Sequence, residues 1–284
     1  MKTLLSDLEE LTEAKAFPDK TPYKSLSVQH VLELSRRSGE GGREIEISAL
    51  ENGIVPERYA RNMRTFSLSD QATLLKAHAG VVGLGGLGGT VTEILARMGV
   101  GGLTLIDGDC FEDSNLNRQL LSSSAHLGIA KTEAARQRVG LINPSIGVTT
   151  HSRFLNPQNA RELLGGCDVT VDCLDTLRAR FEVEDACRTI DRPMVSAAVA
   201  GASGHVTTIF PQDQGLRLIY GDPQNLPLKG AEATLGTVPY AVFLLASLEC
   251  AEVTKIILNR GVPLRNKLLV ADLTDGVIEV MNLR

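Results

Sequence analysis

The stretch Gly80-Val81-Val82-Gly83-Leu84-Gly85-Gly86-Leu87-Gly88-Gly89-Thr90-Val91 decides how this chain reads. A short apolar run, Gly80 to Leu84, opens on a glycine loop. Thr90 to Met98 follows with Val91, Ile94, Leu95 and Met98 on one helical face. Gly83, Gly85 and Gly88 fit the spacing G-x-G-x-x-G, with Gly86 inside it. In such a strand–loop–helix unit the first glycine makes the tight turn and the second lets backbone amides approach a phosphate. The third lets helix and strand pack closely, and the helix N-terminus faces the anion. Asp107 ends the next strand, Leu103 to Ile106, where a carboxylate accepts hydrogen bonds from ribose hydroxyls. The motif predicts a nucleotide without saying which one.

Outward from this unit the same rhythm continues. Helical patterns over Lys131–Leu141, Asn159–Leu164 and Thr176–Ile190 alternate with strand patterns over Gly147–Thr150, Val169–Val171 and Met194–Ala198. This predicts an α/β fold, Rossmann-like, with a mostly parallel sheet and helices on both faces. His205 to Phe210 reads as a further strand, and Pro211 to Leu235 as a long loop without periodicity, of the functional kind. Thr237 is expected to cap a helix with Pro239 in its first turn, reaching about Asn259. Lys267–Val270 and Val277–Met281 read as closing antiparallel strands around Thr274-Asp275-Gly276.

Residues 1–55 differ in character. Thr3 to Ala16 and Ser27 to Arg37 carry helical spacing, and Glu44-Ile45-Glu46-Ile47 alternates like a short strand. With too few apolar residues to fold well alone, this piece reads as an extension packed on the main body, residues 56–284.

Composition removes several function classes. The 284 residues are 43% hydrophobic and 22% charged, as in a soluble globular protein. The formal net charge of −5 supplies no global field toward nucleic acid or anionic membrane. Aromatics are 4% with no Trp, which disfavours a base-stacking platform, so a nucleic-acid partner is not expected. The charged opening Met1 to Lys20 does not resemble a signal peptide. The longest apolar stretch, Val238 to Leu248, is too short to span a bilayer. Five cysteines without a Cys-x-x-Cys pair argue against a disulfide scaffold and point to a reducing cytoplasm.

The segment after Asp107 bears on the nucleotide. Asp107-Gly108-Asp109 leads into Ser114-Asn115-Leu116-Asn117-Arg118-Gln119, and Lys131 opens the next helix. A dinucleotide's diphosphate is largely handled by the helix N-terminus. A triphosphate carries more charge and needs Arg, Lys and a metal. Asn115, Arg118, Gln119 and Lys131 fall just past strand ends, where α/β folds place ligands. Asp175, in Asp172-Cys173-Leu174-Asp175, follows another strand. It suits Mg²⁺ bridging phosphates and equally an N-cap of the helix at Thr176.

Taken in order, Gly83 to Gly88, Asp107-Gly108-Asp109, Ser114 to Gln119, Gly128-Ile129-Ala130-Lys131 and Asp172 to Asp175 resemble the MoeB/ThiF family, bacterial relatives of the ubiquitin-activating enzymes. Arg58-Tyr59-Ala60-Arg61 resembles the family's Arg-Tyr-x-Arg-Gln opening, with Asn62 in place of Gln, and Leu235-Gly236 before the last long helix also fits. The likeness covers roughly residues 56–284. It implies ATP-dependent adenylation of the C-terminal glycine of a ubiquitin-like sulfur carrier of the MoaD/ThiS type. By position it implies that Asp107 holds the ribose, and that Asn115, Arg118 and Lys131 hold the phosphates. It further implies that Asp175 binds Mg²⁺ and that Arg61 reaches the γ-phosphate of a neighbouring subunit, hence a homodimer. Asp109 and Gln119 complete the expected nucleotide set.

Two departures qualify the resemblance. Cys-x-x-Cys pairs that bind structural zinc in many relatives are missing, so no zinc is expected. Pro211 to Leu235 has no Cys, so no thioester on this chain is expected. The alternatives are adenylation of the tRNA threonylcarbamoyladenosine dehydratase kind and an NAD-dependent oxidoreductase. The latter leaves Asn115, Arg118 and Lys131 without a task. For residues 1–55 three roles stay open: contact with the carrier, with a sulfurtransferase, or with a second copy of the chain.

Overall fold

The structure, a computed structural model, describes residues 4–226 and 230–283. Pro227 to Lys229 of the long segment before the last helix lie outside the described residues.

The chain opens with α1 (Leu4–Glu10), β1 (Glu13–Ala16), β2 (Pro22–Leu26), α2 (Val28–Ser38), α3 (Gly42–Glu51) and β3 (Ile54–Pro56). β1 pairs antiparallel with β2, and β2 pairs parallel with β3. Two expectations fail here. The helix over Thr3–Ala16 stops at Glu10, and Glu13–Ala16 becomes a strand because β2 offers it a full antiparallel register, Glu13 opposite Ser25 through Ala16 opposite Pro22. The strand over Glu44–Ile47 is a helix. Ile45 and Ala49, four apart, face the core of this lobe, while Glu46 and Leu50 are buried beside it. Four alternating residues cannot distinguish period 2 from the start of period 3.6; the continuation to Leu50 does. The lobe holds its own apolar cluster of Leu8, Leu26, Val31, Leu34, Ile45, Ala49 and Ile54.

The remainder carries α4 (Leu68–Lys76), β4 (His78–Val82), α5 (Gly86–Met98), β5 (Gly102–Ile106), α6 (Lys131–Ile142), β6 (Gly147–His151), α7 (Ala160–Leu164), β7 (Val169–Asp172) and α8 (Leu177–Thr189). Then come β8 (Met194–Ala200), β9 (Ser203–Ile209), α9 (Arg217–Tyr220), α10 (Glu232–Leu235), α11 (Pro239–Leu258), β10 (Lys267–Asp272) and β11 (Val277–Asn282). The eight strands from β4 on form one sheet in the order β11-β10-β9-β8-β7-β4-β5-β6. β8, β7, β4, β5 and β6 run parallel, and β9, β10 and β11 are antiparallel. One face packs on α5, α6 and α11 through Val91, Leu95, Val139, Val242 and Leu245. The other packs on α7 and α8 through Leu163, Leu164, Phe181 and Val183.

The long segment from Pro211 is not featureless: α9 and α10 form within it. α11 starts at Pro239, but its N-cap is Val238; Thr237 instead bridges to Gly201 of the β8–β9 turn. Among the described residues no helix is long and apolar enough to cross a membrane.

Candidate functional site

In a sheet of this order the loops after β4, β5, β6 and β7 open on one side, at the carboxyl ends of the parallel strands. A cavity of about 1390 Å³ lies there. Gly83 turns the chain out of β4 at φ +88°, and a side chain there would press on the Cys173 carbonyl oxygen at 2.9 Å. A Cβ at Gly88 would stand 1.7 Å from the Gly83 carbonyl oxygen, so Gly88 serves helix–strand contact and does not line the cavity. Gly85 and Gly86 do line it, with the N-terminus of α5 beside them.

Asp107, at the end of β5, accepts from the Leu84 N–H at 2.6 Å and the Asp109 N–H at 2.7 Å. It therefore clamps the glycine loop as well as facing the cavity. Burial pushes its carboxyl up, while the two backbone N–H groups and Lys131 pull it back. Lys131, the first residue of α6, is buried; its Nζ donates to Asp109 Oδ2 at 3.0 Å and stands 3.9 Å from Asp107 Oδ2. Arg118 reaches the cavity from a half-buried position, with Nη1 donating to Ser114 O and Asn117 Oδ1, both at 2.9 Å. Gln119 is buried on the same wall, and its Oε1 is left without a hydrogen-bond partner. Leaving such an atom unpaired costs free energy unless a bound group supplies a donor. Facing the cavity, Gln119 Oε1 is placed to accept from a bound group.

Asp175 stands exposed on the cavity just beyond β7, and the cap of α8 is Thr176. Its carboxylate is therefore not used as the N-cap. Among the described residues no three His, Cys, Asp or Glu side chains gather as a metal cluster. A magnesium bound mainly by phosphates and water needs only one or two protein carboxylates, so Asp175 fits that ion as a single ligand.

Besides Gly88, two expected site residues lie outside the cavity. Asn115 turns inward, its Oδ1 accepting from the Glu112 N–H at 3.1 Å to cap its own 3₁₀ turn; Ser114 and Asn117 line the cavity in its stead. Arg61 is exposed on the turn after β3 and outside this chain's cavity.

Sequence reasoning missed the floor. Arg180 of α8 is 4% exposed and Asp172 0%. Arg180 Nη1 lies 3.2 Å from Asp172 Oδ2, which also accepts from Ser196 Oγ at 2.6 Å. The guanidinium also donates to the Leu174 and Ala197 carbonyls, joining the turn after β7 to the middle of β8. An arginine in the first turn of the helix that follows a strand-end acid was the available signal. Phe154, after β6, was also missed: it is 64% exposed and lines the cavity, its ring lying against Gly108. Against a glycine beside Asp107 and largely exposed, its ring is available to a nucleobase.

Comparison with known proteins bears on this geometry. The ThiF family profile matches residues 59–284. "Adenylyltransferase and sulfurtransferase MOCS3" of Drosophila yakuba is 32% identical over 250 residues, covering 86% of this chain and 54% of that protein. "SAMP-activating enzyme E1" of Haloferax volcanii is 31% identical over 233 residues, 80% of this chain and 85% of that protein. The chain thus spans about half the length of its MOCS3 relative. The crystal structure of E. coli MccB with ATP shares the fold, with a TM-score of 0.67 and 24% identity over 80% of this chain and 71% of that one.

Proposed function

The chain belongs to the ThiF family, and from that premise we propose that it is an adenylyltransferase. Its reaction would be ATP-dependent adenylation of the C-terminal glycine carboxylate of a ubiquitin-like sulfur carrier of the MoaD/ThiS type. The observation that carries this reading is the convergence of Arg118, Lys131, Asp107 and Asp175, with the unpaired Gln119 Oε1, on one cavity beyond β4, β5 and β7.

The chemistry follows from charge. A carboxylate oxygen of the acceptor forms a bond to the α-phosphorus of ATP, and the bond from that phosphorus to the bridging oxygen breaks. Pyrophosphate leaves with the electron pair, and no proton needs to move. Both reactants are anionic, so the protein must gather positive charge. Lys131 exchanges its bond to Asp109 for one to a phosphate, and Arg118 swings from the Ser114 carbonyl. Asp107 receives the ribose hydroxyls, and Gln119 Oε1 takes a donor from the nucleotide. Mg²⁺, held by Asp175, would neutralise charge on the leaving phosphates. Arg61, outside its own cavity, would complete the site of a second copy, making the enzyme a homodimer.

Transfer to a thiol of this chain is not part of the proposal. Cys173 is on the cavity wall, but burial and the neighbouring Glu249 push its thiol far above the usual range. Burial pushes Cys167 up to about 11 and Cys187 to about 12. Such thiols are poor nucleophiles. The described cysteines are all free, which suits a reducing cytoplasm.

ATP–pyrophosphate exchange tests the proposal: it should require a carrier ending in Gly-Gly. Exchange stimulated by tRNA and not by such a carrier would replace the acceptor in this reading. Mixing Arg61→Ala with Arg118→Ala protomers should restore activity to each otherwise inactive preparation. No recovery would remove Arg61 from the site.

A further inference from the structure

The cavity is larger than one nucleotide needs: its volume, about 1390 Å³, exceeds the roughly 300–1,000 Å³ of a small-molecule pocket. Its charged lining side chains, from Asp107 to Arg180, all belong to the segments that follow β4, β5, β6 and β7. From β8 on, the described lining carries no formal charge; the small residues Ala198, Ala200, Ser203 and Gly204 stand there beside the apolar Val199 and Leu235. Two larger polar side chains rise there. His205 of β9 and Tyr220 of α9 both face the cavity, with Nε2 and Oη 2.8 Å apart. Burial, reinforced by the nearby Arg180 charge, pulls the His205 imidazole down to about 4, so it is neutral at physiological pH. The adenylation chemistry derived above gives neither residue a task.

Their position is set by the sheet. β9 lies two strands from β7 through β8, a lateral step of about 10 Å. An extended chain covers that in about three residues. An acceptor tail that enters over β9 and whose carboxylate reaches the phosphates beside Asp175 would lie at His205 and Tyr220 two to four residues before its end. A neutral imidazole bonded to a phenol offers hydrogen bonds to peptide groups and none of the charge a side-chain ion would need. A Lys or Glu on the tail at this level would be buried with only Arg180 near it, and that guanidinium is already held by Asp172.

We propose that His205 and Tyr220 form the specificity subsite for the acceptor's tail, binding an uncharged main chain two to four residues before the terminal carboxylate. The inference rests on the adenylation reading and adds to it which residues select the acceptor. The test uses the full-length protein, a purified MoaD-type carrier ending in Gly-Gly, and versions of that carrier bearing Glu at each of the three positions concerned. Exchange kinetics give KM and kcat for the carrier, and calorimetry gives ATP affinity. Tyr220→Phe, which keeps the ring, and His205→Ala should each raise the carrier KM about tenfold, as for one lost hydrogen bond, with ATP affinity unchanged. At least one Glu-bearing carrier should be a much poorer substrate for the wild type. Unchanged carrier KM in both variants, or an equal loss of ATP affinity, overturns the subsite and leaves adenylation standing. A wild type that binds ATP but exchanges with no Gly-Gly carrier overturns the acceptor reading and the subsite with it.

Discussion

Two buried arginine–carboxylate pairs serve different ends in this molecule. At the seam between the N-terminal lobe and the body, Arg58 Nε stands 3.1 Å from Glu46 Oε1. Tyr59 Oη donates to Glu46 Oε2 at 3.1 Å and accepts from Asn143 Nδ2 at 2.8 Å, and Arg58 also contacts Asn143 Oδ1. Under the cavity, Arg180 meets Asp172 and the carbonyls of Leu174 and Ala197. Each pair has lost its hydration, so neither is a large net source of stability, but breaking either strands a charge. The seam pair locks α3 to the start of the body and α6. The floor pair opens on the cavity and ties down the Leu174–Asp175 turn. Access to the cavity, not the identity of the pair, separates architecture from chemistry. The Arg58-Tyr59-Ala60-Arg61 motif divides along the same line: Arg58 is half-buried and Tyr59 fully buried in the seam, and Arg61 is exposed.

The contrast can be broken by substitution. Arg118→Ala, at a half-buried cavity position, and Asp175→Ala, at an exposed one, should lower ATP–pyrophosphate exchange by about a thousandfold or more, with the thermal midpoint nearly unmoved. A loss of exchange that tracked a loss of folding would place these residues in the architecture instead. Arg58→Ala and Arg180→Ala should each cost about 3–5 kcal/mol in denaturant unfolding, since each leaves a buried carboxylate unpaired. Exchange per folded molecule should fall only for Arg180→Ala. If it falls equally for Arg58→Ala, the division between seam and floor is wrong.

Glu249 sharpens the picture of the floor. It is fully buried, 4.0 Å from Cys173 Sγ, and burial, with the Asp172 charge behind it, drives its carboxyl far above the usual range. The folded protein holds this proton to a higher pH than the unfolded chain, which releases it around the ordinary glutamate value. The contribution is therefore present at low pH and is lost as pH rises through the interval between the two. Glu249→Gln should gain on the wild type by up to about 1.4 kcal/mol per pH unit across that interval. Parallel stability–pH curves would show that Glu249 is ionised in the fold. The smallest effect expected is for Phe154→Ala, a rise of about tenfold in the ATP dissociation constant from lost stacking on the base. An unchanged constant would mean that the exposed ring is not a platform.

The glycine loop, the alternation of strands and helices, and the placement of Asp107, Arg118, Lys131 and Asp175 past strand ends were all legible from residue spacing. Those features are local: a tight turn at Gly83 and a side-chain period of 2 or 3.6 are imposed within a few residues. Asn115 was legible as a loop residue but not as one turned inward, because a single rotation about its side chain decides between cap and cavity. The Glu44–Ile47 helix, the Arg180–Asp172–Ser196 floor and the His205–Tyr220 pair were decided only by the tertiary structure. Their partners lie far off in sequence or on other elements. A buried polar group acquires its protonation, its direction and its task from whichever neighbours the packing brings within hydrogen-bond reach, and no local pattern encodes that choice.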